Sequence, residues 1–138
     1  VRVDRSQPHA GVEFANGQFM GTIEVGPQNR GPVKLANCGF WGIPATREHV
    51  RHEGASSLVL TACHFTGWDH AGKGDPCIRS AGGRLIVNGC EFMDQGKHAI
   101  TLEKGLKAAA ILGCTFRGPQ AISDQSGADV QIGLNTSH

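Results

Sequence analysis

The side chains best suited to bind a ligand lie in two long, irregular segments of the chain. Both tryptophans occur there, Trp41 within 41–47 and Trp68 within 66–75. Polar residues accompany them in these segments and in the apolar runs nearby: Arg51, Asp69, His70, Asp75, Arg79 and Lys97. An aromatic plane can stack on the apolar C–H face of a sugar ring, while guanidinium and carboxylate groups hydrogen-bond to its hydroxyls. The set predicts a surface that binds a sugar chain.

A structural role is the competing interpretation of the same residues. Trp41 directly follows Phe40 and could fold over a corner of the structure, and Trp68 could cover the base of its own loop. Arg51 and Arg79 could form a solvated ladder with glutamates, which is a common arrangement of surface charges. Both interpretations stay open on the sequence.

A repeated pattern around four cysteines indicates how these segments are positioned. Each of the four is followed two residues later by phenylalanine: Cys38, Cys63, Cys90 and Cys114. Their separations are 25, 27 and 24 residues, and self-similarity near a fixed period is typical of a solenoid. A fifth copy occurs at 12–19 and a degenerate sixth at 130–135. The chain therefore predicts six coils of 21–27 residues.

Short stretches within each coil show the alternation of a β-strand. Two apolar residues, such as Leu58 and Leu60, stand two positions apart, and the cysteine follows three positions later. A period of two buries one face of a strand, so the step of three predicts a bend. Another strand follows each phenylalanine, with one predicted inward column: Ile23, Val50, Ile78, Ile100 and Ile122. Its outward column is predicted to be Glu24, Arg51, Arg79, Thr101 and Ser123.

This organisation predicts an all-β fold, a right-handed parallel β-helix. Like residues stack on like in neighbouring coils about 4.8 Å apart, and each coil depends on its neighbours to bury its apolar face. Handedness follows from the strong preference of parallel crossovers. Leucine-rich repeats share the period, but the helical segment and the leucine spacing are missing. We expect a single β-helix domain at 12–138 after an N-terminal extension at 1–11.

The cysteines are predicted to be architectural. Four in one inward column form a ladder of small apolar side chains. The chain contains no C-x-x-C pair, and a stacked column offers neither the tetrahedral cage of zinc nor the geometry of a disulfide. Cys77 lies outside the ladder and is predicted to point outward as a free thiol. His49 and His52 are predicted to face opposite sides of one strand.

Charge and hydropathy restrict the class of partner. Thirteen Lys and Arg against twelve Asp and Glu leave a formal net charge of +1. Such a balance gives no electrostatic footprint for nucleic acid or an anionic membrane. No apolar run approaches the ~20 residues needed to cross a bilayer. We therefore expect neither nucleic acid nor membrane as a partner.

The apolar-x-apolar-x-x-Cys-x-Phe pattern over 12–135 resembles the parallel β-helix of the pectate-lyase-like superfamily of polysaccharide-active proteins. The resemblance implies a polysaccharide partner, an extracellular or periplasmic location, and attachment to a larger carbohydrate-active protein. It also implies Ca²⁺ if the chain has lyase activity, with Glu53, Asp69 and Asp75 as the available carboxylates. No other cofactor is expected.

A catalytic motif is only partly present. GDPCIRS (74–80) is similar to the Gly-Asp-Asp-Cys-Ile motif of polygalacturonase-type glycosidases, but Pro76 replaces the second Asp. Inverting hydrolysis needs two carboxylates. Elimination by a lyase would need a base, for which Arg51, Arg79 and Lys97 are the candidates.

The sequence therefore favours a non-catalytic carbohydrate-binding module. One alternative is a fragment of a polysaccharide lyase or glycoside hydrolase. Another is a structural or adhesive β-helix segment, since Val59 and Ile86 form a small outward apolar patch on adjacent coils.

Overall fold

The computed structural model describes residues 1–138 and contains eighteen short β-strands, numbered β1–β18 in chain order, without any helix. Sheet 1 consists of β1 (Arg2–Val3), β4 (Ile23–Val25), β7 (Val50–His52), β10 (Ile78–Ser80), β13 (Ile100–Leu102) and β16 (Ile122–Asp124). Sheet 2 consists of β2 (Val12–Ala15), β5 (Val33–Ala36), β8 (Ser57–Thr61), β11 (Arg84–Asn88), β14 (Ala108–Leu112) and β17 (Asp129–Gly133). Sheet 3 consists of β3 (Gln18–Met20), β6 (Gly39–Trp41), β9 (His64–Thr66), β12 (Glu91–Phe92), β15 (Thr115–Phe116) and β18 (Thr136–Ser137). No helix is present that could cross a membrane.

Each strand pairs in parallel with the equivalent strand of the next coil, so the predicted parallel β-helix of six coils is confirmed. The register agrees with the sequence columns, because Ile78 lies between Val50 and Ile100, and Phe65 lies beside Phe92. The outward column of sheet 1 is also in register, from Glu24 through Arg51 and Arg79 to Ser123.

The interior is built from stacked columns of identical residues. The five phenylalanines of sheet 3 stack along the axis with ring centroids 4.8–5.1 Å apart. Beside them the four ladder cysteines are buried as free thiols. The Cys63 sulfur lies 3.6 and 3.5 Å from the backbone oxygens of Leu35 and Thr61, either of which can accept its single S–H. The ladder is therefore architectural, as the sequence predicts.

The bend between sheets 2 and 3 has the same construction in every coil. Two residues separate the strands, and the first of them is always left-handed: Asn16, Asn37, Ala62, Gly89, Gly113 and Leu134 have φ between 52° and 64°. One left-handed residue reverses the facing of the chain. This turn is the physical origin of the three-residue step before each cysteine. Asn37 also donates its side-chain amide to Asn16 at 2.9 Å.

The connections from sheet 3 to sheet 1 are the variable part of the coil. They range from residues 21–22 in the first coil to residues 67–77 in the third. The first eleven residues, expected as an extension, also contribute to the fold. Strand β1 pairs with β4, placing Val3 beside Val25, and the Val3 side chain is buried.

Candidate functional site

Trp68 lies in the interior, so the expectation of two exposed tryptophans is wrong for this residue. Its side chain is 0% exposed, and its ring packs edge-on against Phe92 with centroids 6.3 Å apart. The indole N–H donates to the backbone oxygen of His98 at 2.8 Å. The aromatic ring anchors the long connector to the next coil, which is the structural alternative that the sequence left open.

The predicted outward position of Cys77 is also wrong. Cys77 is 0% exposed, and burial raises the pKa of its thiol well above the ordinary range. The Cys77 N–H donates to the backbone oxygen of His98, which also accepts the indole N–H of Trp68. Cys77 is therefore the last residue of the connector that contains Trp68, and it lies in an interior corner that strand alternation does not describe.

The same corner buries His49. The prediction that His49 and His52 face opposite sides of the strand is therefore wrong, because both are buried. His52 faces the interior and lies 3.0 Å from the Ser80 hydroxyl, and burial lowers its pKa to about 4. The two ring nitrogens of His49 lie 3.1 Å from the backbone oxygen of Gly21 and 2.8 Å from that of Thr66. Burial lowers the pKa of His49 as well. Both rings belong to the core.

Lys97 stabilises the connector that contains Trp68. Its ammonium group donates to the backbone oxygen of Trp68 at 2.5 Å and to the Asp94 carboxylate at 2.9 Å, and it lies 5.7 Å from the centroid of the indole ring. Asp94 in turn accepts the Thr66 hydroxyl and the Gly67 N–H, both at 2.9 Å. All these contacts are internal to the protein, which explains Lys97 without a ligand.

The Asp69 carboxylate also serves its own loop. Its two oxygens accept the N–H groups of Lys73 and Gly74 at 2.8 and 2.9 Å. The neighbouring His70 is exposed at the surface of this connector. Of these two predicted ligand contacts, His70 alone presents its side chain to solvent.

A carboxylate that the sequence analysis missed organises the outward face of sheet 1. Glu48 is 3% exposed, and its two oxygens accept hydrogen bonds from Arg51 at 2.5 Å and from Arg79 at 2.9 Å. Arg79 also donates to Glu103. Arg51 and Arg79 are neighbours in the strand register, as predicted, and Glu48 links their two guanidinium groups. Its position three residues before Arg51 is a weak signal that the sequence does provide.

Asp75 extends this network through a two-pronged ion pair with Arg47. The two distances between guanidinium nitrogens and carboxylate oxygens are 2.9 and 3.1 Å. Arg79 lies 3.6 Å from the same carboxylate. The hydrogen bond from Arg47 lowers the pKa of Asp75, the opposite of what a general acid requires. For Arg79, burial alone lowers the pKa, but the hydrogen bonds that its guanidinium donates to Glu48 and Glu103 outweigh burial and raise the pKa above the usual value.

A shallow cleft of about 230 Å³ lies next to this network, over the last coils of sheet 1. Its lining is entirely non-hydrophobic: Gly74, Pro76, Arg79, His98, Thr101, Glu103, Ser123 and Gln125. Thr101 and Ser123 are direct partners in neighbouring strands, so their hydroxyls repeat along the axis of the β-helix. Among the predicted ligand contacts only Arg79 lines this cleft.

Trp41 lies apart from the cleft, on the outward face of sheet 3. It is 57% exposed and pairs with Met20 and Thr66 in neighbouring strands. Met20 and Ile43 are exposed as well. The predicted single binding face is therefore divided between an aromatic surface on sheet 3 and a polar cleft on sheet 1.

The structure contains no group of three or more His, Cys, Asp or Glu side chains that could hold a metal ion. Asp69, Asp75 and Glu53, the carboxylates considered for Ca²⁺, do not form such a group. Comparison with known proteins adds no assignment: no protein-family model, curated protein or solved structure gives a significant match to the chain. The fold is thus established by its geometry, and the site is interpreted from its chemistry alone.

Proposed function

We propose that the protein is a non-catalytic carbohydrate-binding module that holds a polysaccharide in the sheet 1 cleft. The main support for the proposal is that no hydrophobic residue lines this cleft, while six polar side chains do, including the Thr101 and Ser123 hydroxyls on successive coils. Strands about 4.8 Å apart present equivalent groups at a spacing close to the length of one sugar residue. An extended polysaccharide can therefore meet the same type of contact in consecutive coils.

The cleft offers both halves of the hydrogen bonds that sugar hydroxyls make. Arg79 supplies N–H donors, Glu103 supplies acceptors, and the Thr101 and Ser123 hydroxyls can act as either. The network of Glu48 fixes the Arg79 side chain before any ligand arrives. A side chain that is already ordered loses less entropy on binding, which favours affinity.

The charged groups support binding better than catalysis. A general acid needs a raised pKa, whereas the pKa of Asp75 is lowered by Arg47. A general base must release its proton near neutral pH, whereas the ion pairs of Arg79 raise its pKa. The lyase and glycosidase alternatives would therefore require groups beyond this cleft. A polysaccharide-binding role is consistent with an extracellular or periplasmic location and with a larger carbohydrate-active parent protein.

The proposal is tested by affinity electrophoresis of the protein through gels that contain xylan, pectin or β-glucan. We expect one polymer to retard the wild-type protein. Replacing Thr101 by Val removes a hydroxyl while keeping the shape of the side chain, and we expect this to weaken retention about three- to tenfold. Thr61→Val makes the same change on the outward face of sheet 2 and serves as the control.

Trp41→Ala decides whether the exposed aromatic on sheet 3 belongs to the same binding surface. Loss of retention in both Trp41→Ala and Thr101→Val would extend the site from sheet 1 to sheet 3. Loss in Thr101→Val alone would confine it to the cleft. Retention that is unchanged by Thr101→Val, or that is absent for every polymer, would contradict the proposal.

An apolar column on sheet 2 favours a second candidate, a structural or adhesive segment that packs against other chains. Val59 and Ile86 are neighbours in register, and Ile86 is 38% exposed. Ala110 continues the column in the next coil. Sedimentation velocity of wild type and a Val59→Lys/Ile86→Lys variant separates the candidates: an assembly through this face would dissociate, whereas polysaccharide retention should survive the change.

A further inference from the structure

A second cavity, of about 140 Å³, lies where the chain turns from sheet 1 into sheet 2. Its walls are Arg30, Ala55, Ser56, Ser57, Arg84 and Lys107. We refer to it as the basic cavity. It contains three cationic side chains and two hydroxyls but no carboxylate. None of the proposed ligand contacts in the sheet 1 cleft takes part in it.

The three cations come from three different turns that the β-helix stacks on one another. Arg84 pairs with Ser57 in the adjacent strand, and its N–H donates to the backbone oxygen of Ser56 at 3.2 Å. The N–H of Lys107 donates to the backbone oxygen of Gly83 at 2.8 Å. Backbone hydrogen bonds thus fix the floor of the basic cavity, and only the ends of the long side chains remain free to adjust.

These three cations are unpaired in the structure. The side chains of Arg30, Arg84 and Lys107 take part in no salt bridge, although they share one small cavity. Glu53 and Asp129, acidic residues on coils of this part of the β-helix, form no salt bridge either.

The sheet 1 network has the opposite construction. There, carboxylates neutralise every converging arginine, for example Asp75 against Arg47. The whole chain carries a net charge of only +1, so a local excess of three positive charges is not explained by a generally basic surface. All three side chains are exposed, so solvent screens part of the repulsion between their like charges, and a bound anion would remove the remainder.

We propose that the basic cavity binds a tetrahedral oxyanion, a sulfate or phosphate group. A guanidinium presents paired N–H donors that match two oxygens of such a group, and lysine supplies a compact positive charge. The Ser56 and Ser57 hydroxyls can donate to the remaining oxygens. A water molecule takes about 30 Å³ of liquid volume, so the cavity has room for a small anion with a few waters.

The anion can be a free ion or an ester group on a polymer, and both present the same chemistry to the cavity. The experiment titrates ¹⁵N-labelled protein with sodium sulfate and sodium phosphate while sodium chloride keeps the ionic strength constant. We expect saturable shifts of the Ser56, Ser57, Arg84 and Lys107 amides. Arg84→Gln should weaken binding roughly tenfold, because it removes a charge-assisted, two-pronged contact.

Lys104→Gln is the matched control. Lys104 is exposed on the same turn as Lys107 but does not line the cavity, so this change lowers the net charge equally without removing a contact. We expect an effect of less than about twofold on binding. Thermal melting in chloride checks the fold of each variant. Arg84 makes no side-chain hydrogen bond or salt bridge, so Arg84→Gln should melt near the wild-type temperature.

Dextran sulfate and neutral dextran distinguish the sources of the anion. Tighter binding of dextran sulfate than of sulfate, lost in Arg84→Gln, would identify an ester group on a polymer. Saturable binding of the inorganic ions without such a gain would identify a free ion. Shifts that do not saturate with any of these probes, or equal weakening by Arg84→Gln and Lys104→Gln, would overturn the proposal.

Discussion

The connection that leads into sheet 3 and the connection that leads out of it are built differently. Where the chain enters from sheet 2, a two-residue bend repeats in all six coils. In the first five coils its first N–H donates to the residue that ends the sheet 2 strand of the next coil, as Asn37 does to Thr61. Where the chain leaves for sheet 1, the connector varies in length, from residues 21–22 in the first coil to residues 67–77 in the third. Its contacts join residues of different kinds, such as Trp68 and His98. The repeated strands and bends form the scaffold, and the irregular connectors carry the chemically distinctive surface.

The difference is also one of polarity. Between sheets 2 and 3 the packing consists of phenylalanine rings and cysteine thiols, whose energy comes from burial and close contact. Around the connectors, buried charged and polar groups predominate, including Glu48, Asp69, Asp75 and His49. These groups are stable inside the protein because each has hydrogen-bond partners, which makes the variable region sensitive to single substitutions.

The largest expected effect comes from a substitution in the repeated core, within the phenylalanine stack. Phe65 lies at the centre of the aromatic stack and is fully buried. We expect Phe65→Ala to lower the free energy of unfolding by about 3–5 kcal/mol, because it removes burial and leaves a cavity. Denaturant unfolding measures this loss. Trp41→Ala changes an exposed aromatic on the same sheet, and a loss of equal size there would contradict the assignment of inward and outward faces.

The next effect concerns pH. The folded pKa of His52, about 4, lies below its ordinary value of 6.5, because the buried imidazole is stable only when neutral. Between these values the unfolded chain binds a proton that the folded chain does not, so stability falls as pH falls from 6.5 to about 4. The expected loss is roughly 3 kcal/mol from His52, with a contribution of the same sign from His49.

Denaturant unfolding at several pH values between 4 and 7 tests this dependence. His52→Gln should reduce the slope of stability against pH across that range. His9→Gln, on an exposed turn near the N-terminus, is the control and should keep the wild-type slope. An unchanged slope in His52→Gln would show that other groups control the acid sensitivity of the fold.

A smaller effect on stability is expected from the ion pairs beside the variable connectors. Glu48→Gln keeps the size of the side chain but leaves Arg51 and Arg79 without their shared carboxylate. We expect a loss of about 2 kcal/mol, less than for a fully buried ion pair because solvent reaches both guanidinium groups. Because the wild-type pairs are partly screened by salt, the difference between the two proteins should shrink at high salt. Equal stability of both proteins at low salt would contradict this role.

The smallest effect concerns the regular bend. Ala62 adopts a left-handed conformation with φ of 52° at a position where four of the other five coils have asparagine or glycine. Asparagine tolerates this conformation better than alanine. Ala62→Asn should therefore stabilise the protein by about 0.5–1 kcal/mol. Thr61→Asn, one residue earlier in strand β8, should give no such gain, and thermal melting compares the two variants.

The sequence predicts the repeated side well because each inward position occurs several times. Columns such as Phe40 and Phe65 reveal the coils, their boundaries and their register without any long-range information. The corner that buries His49 and Cys77 has a different residue in nearly every coil, so no column marks it as interior. Period-two alternation then assigns Cys77 to the wrong side.

The candidate site was harder to predict because its geometry depends on contacts that do not repeat. Trp68 is buried by a connector that several non-repeating hydrogen bonds hold in place, among them those from the indole N–H to His98 and from Lys97 to the Trp68 backbone oxygen. Arg51 and Arg79 were recognised from their strand positions, but the carboxylates that hold them, Glu48 and Glu103, are separated from Arg79 by 31 and 24 residues. The residue types indicate what kind of surface to expect, whereas the arrangement of these side chains can be seen only in the folded structure.

The most direct test of the binding proposal is to map the contact surface of the polysaccharide that retards the protein most strongly. Amide shifts of the ¹⁵N-labelled protein would be recorded as this polymer is added. We expect the largest shifts at Arg79, Thr101 and Ser123, on the outward face of sheet 1. Shifts centred on sheet 2 instead, or no shift with any polymer tested, would contradict a carbohydrate-binding cleft on the variable side of the β-helix.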